Sequence, residues 1–196
     1  MTLADAIRLE NPTRVARQVR DVALVAAGSL AVALTAQIAV PLPWTPVPIT
    51  GQMLGVLLVG AALGAGRGAA SLGLYLVEGG AGLPFFAGGA AGFGHLIGPT
   101  GGYLWAFPLA AFVTGALAER GWDRRFGSAA AAMALGNVAV YAVGLPWLAV
   151  FVGWERVWVA GLVPFIPGAV VKIVAAAALL PVAWRFVGGE DSGNPG

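Results

Sequence analysis

Lys172 is the only lysine in this chain of 196 residues, and no other charge lies between Arg156 and Arg185. A charged side chain at the centre of a bilayer costs about 2.5–3.5 kcal/mol even on the most lenient insertion scale. A lone lysine in so apolar a run is therefore a candidate for holding a ligand; snorkelling to an interface is the alternative. Asn137 sits in a second charge-free run, Phe126 to Trp154. It can line a pocket or bind one helix to another. The other polar groups inside apolar runs are Gln37, Gln52, Tyr75, Glu78, Tyr103 and Tyr141. Glu78 reads as the nearest to a membrane edge, where hydration lowers its cost. Tyr75 and Tyr141 suit an interface or a packed core equally.

Several chemistries drop out. No G-x-x-x-x-G-K-[ST] is present, and Lys172 follows "PGAVV", so the chain has no P-loop for ATP. One histidine and no cysteine argue against a transition-metal site. No serine lies in G-x-S-x-G, and His95 falls in a glycine-rich loop, which disfavours a hydrolase. The arginines are spread along segment ends rather than gathered on one face, which disfavours nucleic acid.

The elements that position these residues belong to a membrane. The chain is 59% hydrophobic and 10% charged, against about 25% charged in soluble domains. Charge is absent from Val22 to Gly66 and from Gly79 to Ala118, each long enough for a pair of spans of about 20 residues. Proline and glycine divide the runs into six spans: Val22–Val40, Thr50–Gly64, Ala69–Leu83, Gly101–Ala118, Ser128–Trp147 and roughly Val163–Trp184. The stretch "LAVFVGWERVWVAG" reads as an interfacial helix. Residues 1–21 read as an amphipathic lead-in, with Arg14, Arg17 and Arg20 around one face, or as a solvated tail, and not as a cleaved signal peptide. The predicted fold is an all-α integral membrane protein. It has a segment 1–21, a six-helix domain 22–187 and a tail 188–196.

With both termini in the cytoplasm, nine of the eleven basic residues face that side; only Arg156 lies outside and Lys172 within a span. The stretch "FFAGGAAGFGHLIGPTGGYL" (85–104) then joins spans three and four on the outer face. Non-helical backbone at membrane depth is tolerated where it lines a cavity, so this loop is expected to fold back over a pocket as a lid. "GLPFF" (82–86) and "GLPWL" (144–148) are expected to close spans three and five. Ala23, Ala27 and Ala31 repeat at four-residue spacing, as in helices approached closely by another helix.

The run from "TPVPITGQ" through "GLPFFAGG" to "GPTGGYLWAFPLAAF", with "YAVGLPWLA" and "FIPGAVVK" further on, resembles the BioY family, the biotin-specific substrate-binding (S) components of energy-coupling factor vitamin transporters. The resemblance covers about Gln37 to Ala178. It implies six helices, a vitamin pocket near the outer face of a bacterial cytoplasmic membrane, and a lid between helices three and four. It further implies partners: a transmembrane coupling protein and two ABC-type ATPase subunits that supply ATP hydrolysis. The chain itself would be neither an enzyme nor the holder of a cofactor, with biotin as transported ligand. The implied substrate-binding residues are Lys172, Asn137, Tyr103, Phe86, Glu78, Trp147, Gly89 and Thr100, and Ala23, Ala27 and Ala31 are implied to dock the coupling protein. The family commonly reads P-G-D-x-x-K before helix six; here Pro167, Gly168 and Lys172 are present, but Ala169 or Val170 stands where the acid would be. An S component for another small vitamin or a biotin precursor, and a membrane structural or assembly protein, are the competing readings.

If the alanine face docks a partner, Ala27→Trp abolishes co-purification with the coupling protein and leaves biotin binding intact. Loss of binding with the partner retained would make the face internal packing instead.

Overall fold

The computed structural model describes residues 2–6 and 13–188. Within them the regular structure is helical apart from one short strand pair. A four-residue helix, α1 (Leu3–Ala6), precedes the long α2 (Arg14–Ala36). Strands β1 (Ala39–Val40) and β2 (Ile49–Thr50) pair antiparallel and bracket the proline-rich loop. Then come α3 (Gln52–Leu63), α4 (Ala65–Gly80), the short α5 (Phe93–Ile97), α6 (Gly101–Glu119), α7 (Phe126–Val152), the short α8 (Val157–Gly161) and α9 (Ile166–Gly188).

Among the described residues, four stretches are long and apolar enough to cross a membrane: α2, α6, α7 and the run Val157–Phe186. The chain is a multi-pass membrane protein. Helix α4 has 16 residues and α3 only 12. At 1.5 Å per residue α3 rises about 18 Å, well short of the roughly 30 Å of hydrocarbon. Protein rather than lipid surrounds α3, which packs on α2, α4 and α6, with Val56, Leu57 and Ala61 wholly buried.

The predicted boundaries move for local reasons. Thr13 caps α2 by accepting from the Ala16 amide at 3.2 Å, so Arg14, Arg17 and Arg20 belong to the same helix as the first span. Their stretch is not a separate lead-in. "GLPWL" does not end α7; Pro146 lies inside a helix that runs on to Val152. The interfacial helix expected over 148–161 is accordingly split: its first residues finish α7, and only Val157–Gly161 forms α8. Residues 2–6 are neither a lead-in nor a tail. Leu3 packs among Leu57, Ala118, Met133 and Leu180, Arg20 donates to the Ala4 carbonyl, and Arg67 pairs with Asp5 and, at 3.5 Å, with Asp21. Burial pushes the Asp5 carboxyl up, but hydrogen bonds from Arg67 and Thr2 outweigh it and hold the group at about 2. Arg8 and the tail from residue 189 lie outside the described residues.

Small residues set how closely the helices approach. A Cβ on Gly60 of α3 would stand 2.6 Å from the Ala111 carbonyl oxygen and 2.8 Å from its Cα on α6. The same end of the bundle is tied by Glu119, at the end of α6, whose carboxylate accepts from the Ala65 amide at 2.8 Å and so caps α4. Asp123 accepts from the Trp184 indole at 2.6 Å, with the Arg124 guanidinium stacked 4.7 Å over that ring. These contacts fix the turn between α6 and α7 to α9.

Because its neighbour is backbone, Gly60→Ala forces α3 and α6 apart. Overpacking of this kind costs about 1–3 kcal/mol, visible as a lowered thermal-unfolding midpoint in detergent. Gly73→Ala, with nothing within 4 Å of the added carbon, leaves the midpoint in place. Equal midpoints for both variants would refute the close packing.

Candidate functional site

The cavity lies at the end of the bundle where α2 stops and α3 begins, and the shortness of α3 makes room for it. It measures about 270 Å³, slightly below the roughly 300–1,000 Å³ usual for small-molecule pockets. Three kinds of structure wall it. The loop before α3 supplies Pro46, Val47, Pro48 and Thr50; the connection between α4 and α6 supplies Phe86, Ala87, Ala90, His95 and Thr100; α6, α7 and α9 supply the side chains of the far wall.

Five of the eight predicted binding residues meet here: Lys172, Asn137, Tyr103, Phe86 and Thr100. Lys172 stands in the second turn of α9, nearer its start than mid-span, and donates to the Thr50 carbonyl. It has no carboxylate partner among the described residues, which leaves two of its three hydrogens free to serve a ligand. Ala169, one turn earlier on the same helical face, also lines the cavity, whereas Val170 and Val171 point outward at 54% and 68% exposure. Of the two positions, Ala169 therefore faces the cavity and Val170 does not, three residues before Lys172.

Asn137 uses one amide hydrogen on the Met133 carbonyl at 3.1 Å, which aims the rest of its carboxamide into the cavity. Tyr103 spends its hydroxyl on the Gly161 carbonyl at 3.0 Å and presents its ring, edge-on to Tyr141 at 6.5 Å. Phe86 is buried because Gly79 leaves it space: a Cβ there would strike the ring. His95 is exposed at the rim, its ring edge-on to Phe86 at 6.1 Å.

The other three predicted residues stand elsewhere. Glu78 accepts from Ser29 of α2 and lies outside the cavity. Trp147 supports the wall from behind, donating to the Gly98 carbonyl at 2.9 Å and packing on Gly102. Gly89 does not line the cavity; with Gly88 it turns the chain through positive φ, +83° and +65°, backbone that side chains other than glycine resist. Of the glycines of this stretch, Gly88 and Gly89 are thus explained by the turn, and Gly101 and Gly102 by close approach to Leu96 and Trp147. Ala23, Ala27 and Ala31 are all exposed along α2.

Sequence reasoning assigned no site role to Thr50, Gln52 or Tyr141, which also line the cavity. Gln52 is buried, and its amide donates to the Tyr75 hydroxyl. The signal available was its place directly after "TPVPIT", where a helix beginning late must start inside the protein. Taken together, the walls offer aromatic and aliphatic surface, amides and hydroxyls, one cation and no carboxylate. Such a site suits an uncharged or anionic ligand with an apolar body.

The family model described as "BioY family" matches residues 8–189. A probable biotin transporter BioY of Pyrococcus horikoshii is 41% identical over 172 residues, covering 86% of this chain and 97% of the relative. A biotin transporter BioY of Rhizobium etli is 39% identical over 170 residues, covering 82% and 90%. The crystal structure of the S-component for biotin from an ECF-type ABC transporter shares the fold, with a TM-score of 0.73 at 24% identity over 89% of this chain and 95% of that one. With its fold matched and nearly its whole length aligned, this chain belongs to the BioY family.

Proposed function

We propose that this chain binds biotin in the cavity and serves its uptake as the S component of an energy-coupling factor transporter. The observation that carries the reading is the cavity itself: apolar walls with a single cation facing a carboxylate-free lining. Biotin is an apolar bicycle and chain with a polar ureido group at one end and a carboxylate at the other. Lys172 donates to the vitamin, Asn137 complements its ureido group, and Phe86 and Tyr103 pack on its apolar parts. A charged donor buried beside an anion or a polarised carbonyl makes the stronger class of hydrogen bond. Relatives named as biotin transporters align along most of their length, which supports the same ligand here.

The finer arrangement follows from the charge pattern and the short helices. Helices α3 and α4 cross as spans two and three, shielded by their neighbours, so that six spans place both termini in the cytoplasm of a bacterium, and the cavity opens outward through the inner membrane's outer face. The connection 81–100 is its lid. The exposed Ala23, Ala27 and Ala31 receive the transmembrane coupling protein, and two ABC-type ATPase subunits hydrolyse ATP on the chain's behalf.

Lys172→Met weakens biotin binding at least about tenfold, the effect of a lost charged hydrogen bond of 1.4 kcal/mol or more, as measured with labelled biotin on purified protein. Biotin amide identifies the contacted end. An equal loss for both ligands assigns the contact to the ureido group, and a loss for biotin alone assigns it to the carboxylate. Wild-type affinity in Lys172→Met would sink the proposed role.

A further inference from the structure

Tyr75 is wholly buried in α4 and is not part of the cavity lining, yet its hydroxyl joins two things that touch the cavity. It accepts from Gln52, a wall residue, and donates to the Phe85 carbonyl at 3.0 Å, on the connection that covers the cavity. Phe85 precedes Phe86, whose ring lies edge-on to Tyr75 at 5.6 Å and forms part of the wall. The join extends the other way as well. Gln52 accepts from the Thr50 hydroxyl at 3.3 Å, and the Thr50 carbonyl accepts from Lys172. A continuous polar line thus runs from the cavity's cation to the backbone of the covering loop. A second tie holds the neighbouring residue: Gln37 of α2's end donates to the Pro84 carbonyl at 3.3 Å. Beyond Phe86 the loop bonds back on itself, Phe86 to Ala90 at 2.9 Å and Gly89 to Phe86 at 3.0 Å, so 86–90 moves as one turn.

We propose that Tyr75 is the latch of this lid: its bond to the Phe85 carbonyl holds segment 84–90 shut and sets how fast biotin enters and leaves. The proposal rests on the reading that biotin occupies the cavity beneath that segment. Opening must pull the Phe85 carbonyl off Tyr75 and leave a buried phenol donor unpaired, which disfavours the open lid. Tyr75 does not line the cavity, so its bond to the Phe85 carbonyl needs no ligand to form. Removing it favours opening equally in both cases. Association and dissociation then accelerate together while the equilibrium constant stays nearly fixed, a signature that damage to a binding wall does not give.

The test is Tyr75→Phe, which keeps the ring packed against Phe86 and deletes only the hydroxyl. Stopped-flow association and dissociation of labelled biotin are expected to rise about tenfold each, with Kd unchanged within about threefold. Faster dissociation without faster association, or no change in either rate, overturns the latch. A second measurement needs no ligand. The chain has no cysteine, so Ala87→Cys places one thiol on the cavity-lining side of the turn, and its maleimide alkylation rate reports opening. Adding Tyr75→Phe raises that rate about tenfold in the empty protein; an equal rate overturns the proposal even if the variant binds poorly. Failure of excess biotin to slow alkylation in Ala87→Cys alone would refute the cavity as the biotin site, a different failure from that of the latch.

Discussion

A polypeptide in hydrocarbon has to satisfy every backbone amide and carbonyl internally, and α3 tests that requirement. It has only 12 residues, and the loop before it runs without helical hydrogen bonds. The loop manages this by leaning on protein. Ile49 and Thr50 pair with Ala39 and Val40, Thr45 donates to the Ala160 carbonyl at 2.6 Å, and Lys172 reaches the carbonyl of Thr50. Prolines at 41, 43, 46 and 48 remove amides that would otherwise need partners. A helix that begins late thereby leaves a chamber whose floor is helix and whose walls are partly loop.

That construction explains the polarity of the cavity. Loop backbone brings carbonyls into the helix bundle, and carbonyls attract donors, so Lys172, Gln52 and Tyr75 converge on them or on one another. With Ala169 one turn before it, Lys172 has a backbone dipole for company and no counter-charge among the described residues. A bound anion would then meet a cation that no neighbouring carboxylate has neutralised.

Much of this was legible in the sequence, and the legible parts share a cause. Lys172 and Asn137 announce themselves because a polar group in an apolar run is costly, and α6 was bounded within a residue because glycines and "ERGWDRR" punctuate it. Glu78 and Trp147 misled for a complementary reason. The same cost can be met by a partner outside the cavity, Ser29 for one and the Gly98 carbonyl for the other, and spacing along the chain carries no trace of which partner is chosen. Pro146 misled because a proline ends a helix only if its lost hydrogen bond and ring cannot be accommodated, and α7 accommodates both. Tyr75 and Gln52 were visible as polar residues, but their pairing spans helices that only the fold brings together.

The contact of Gly60 with Ala111 is backbone on backbone, and such a contact has no slack. Side chains can slide or change rotamer when one helix is pushed; two main chains in van der Waals contact transmit the push at once. Helices α3 and α6 therefore behave mechanically as a single beam, pinned at one end by the Glu119 cap on α4. Deformation is channelled into a part tied to the frame by side chains, the turn 84–90, held through Gln37 and Tyr75. The molecule is in this sense a stiff frame carrying one compliant member beside the chamber.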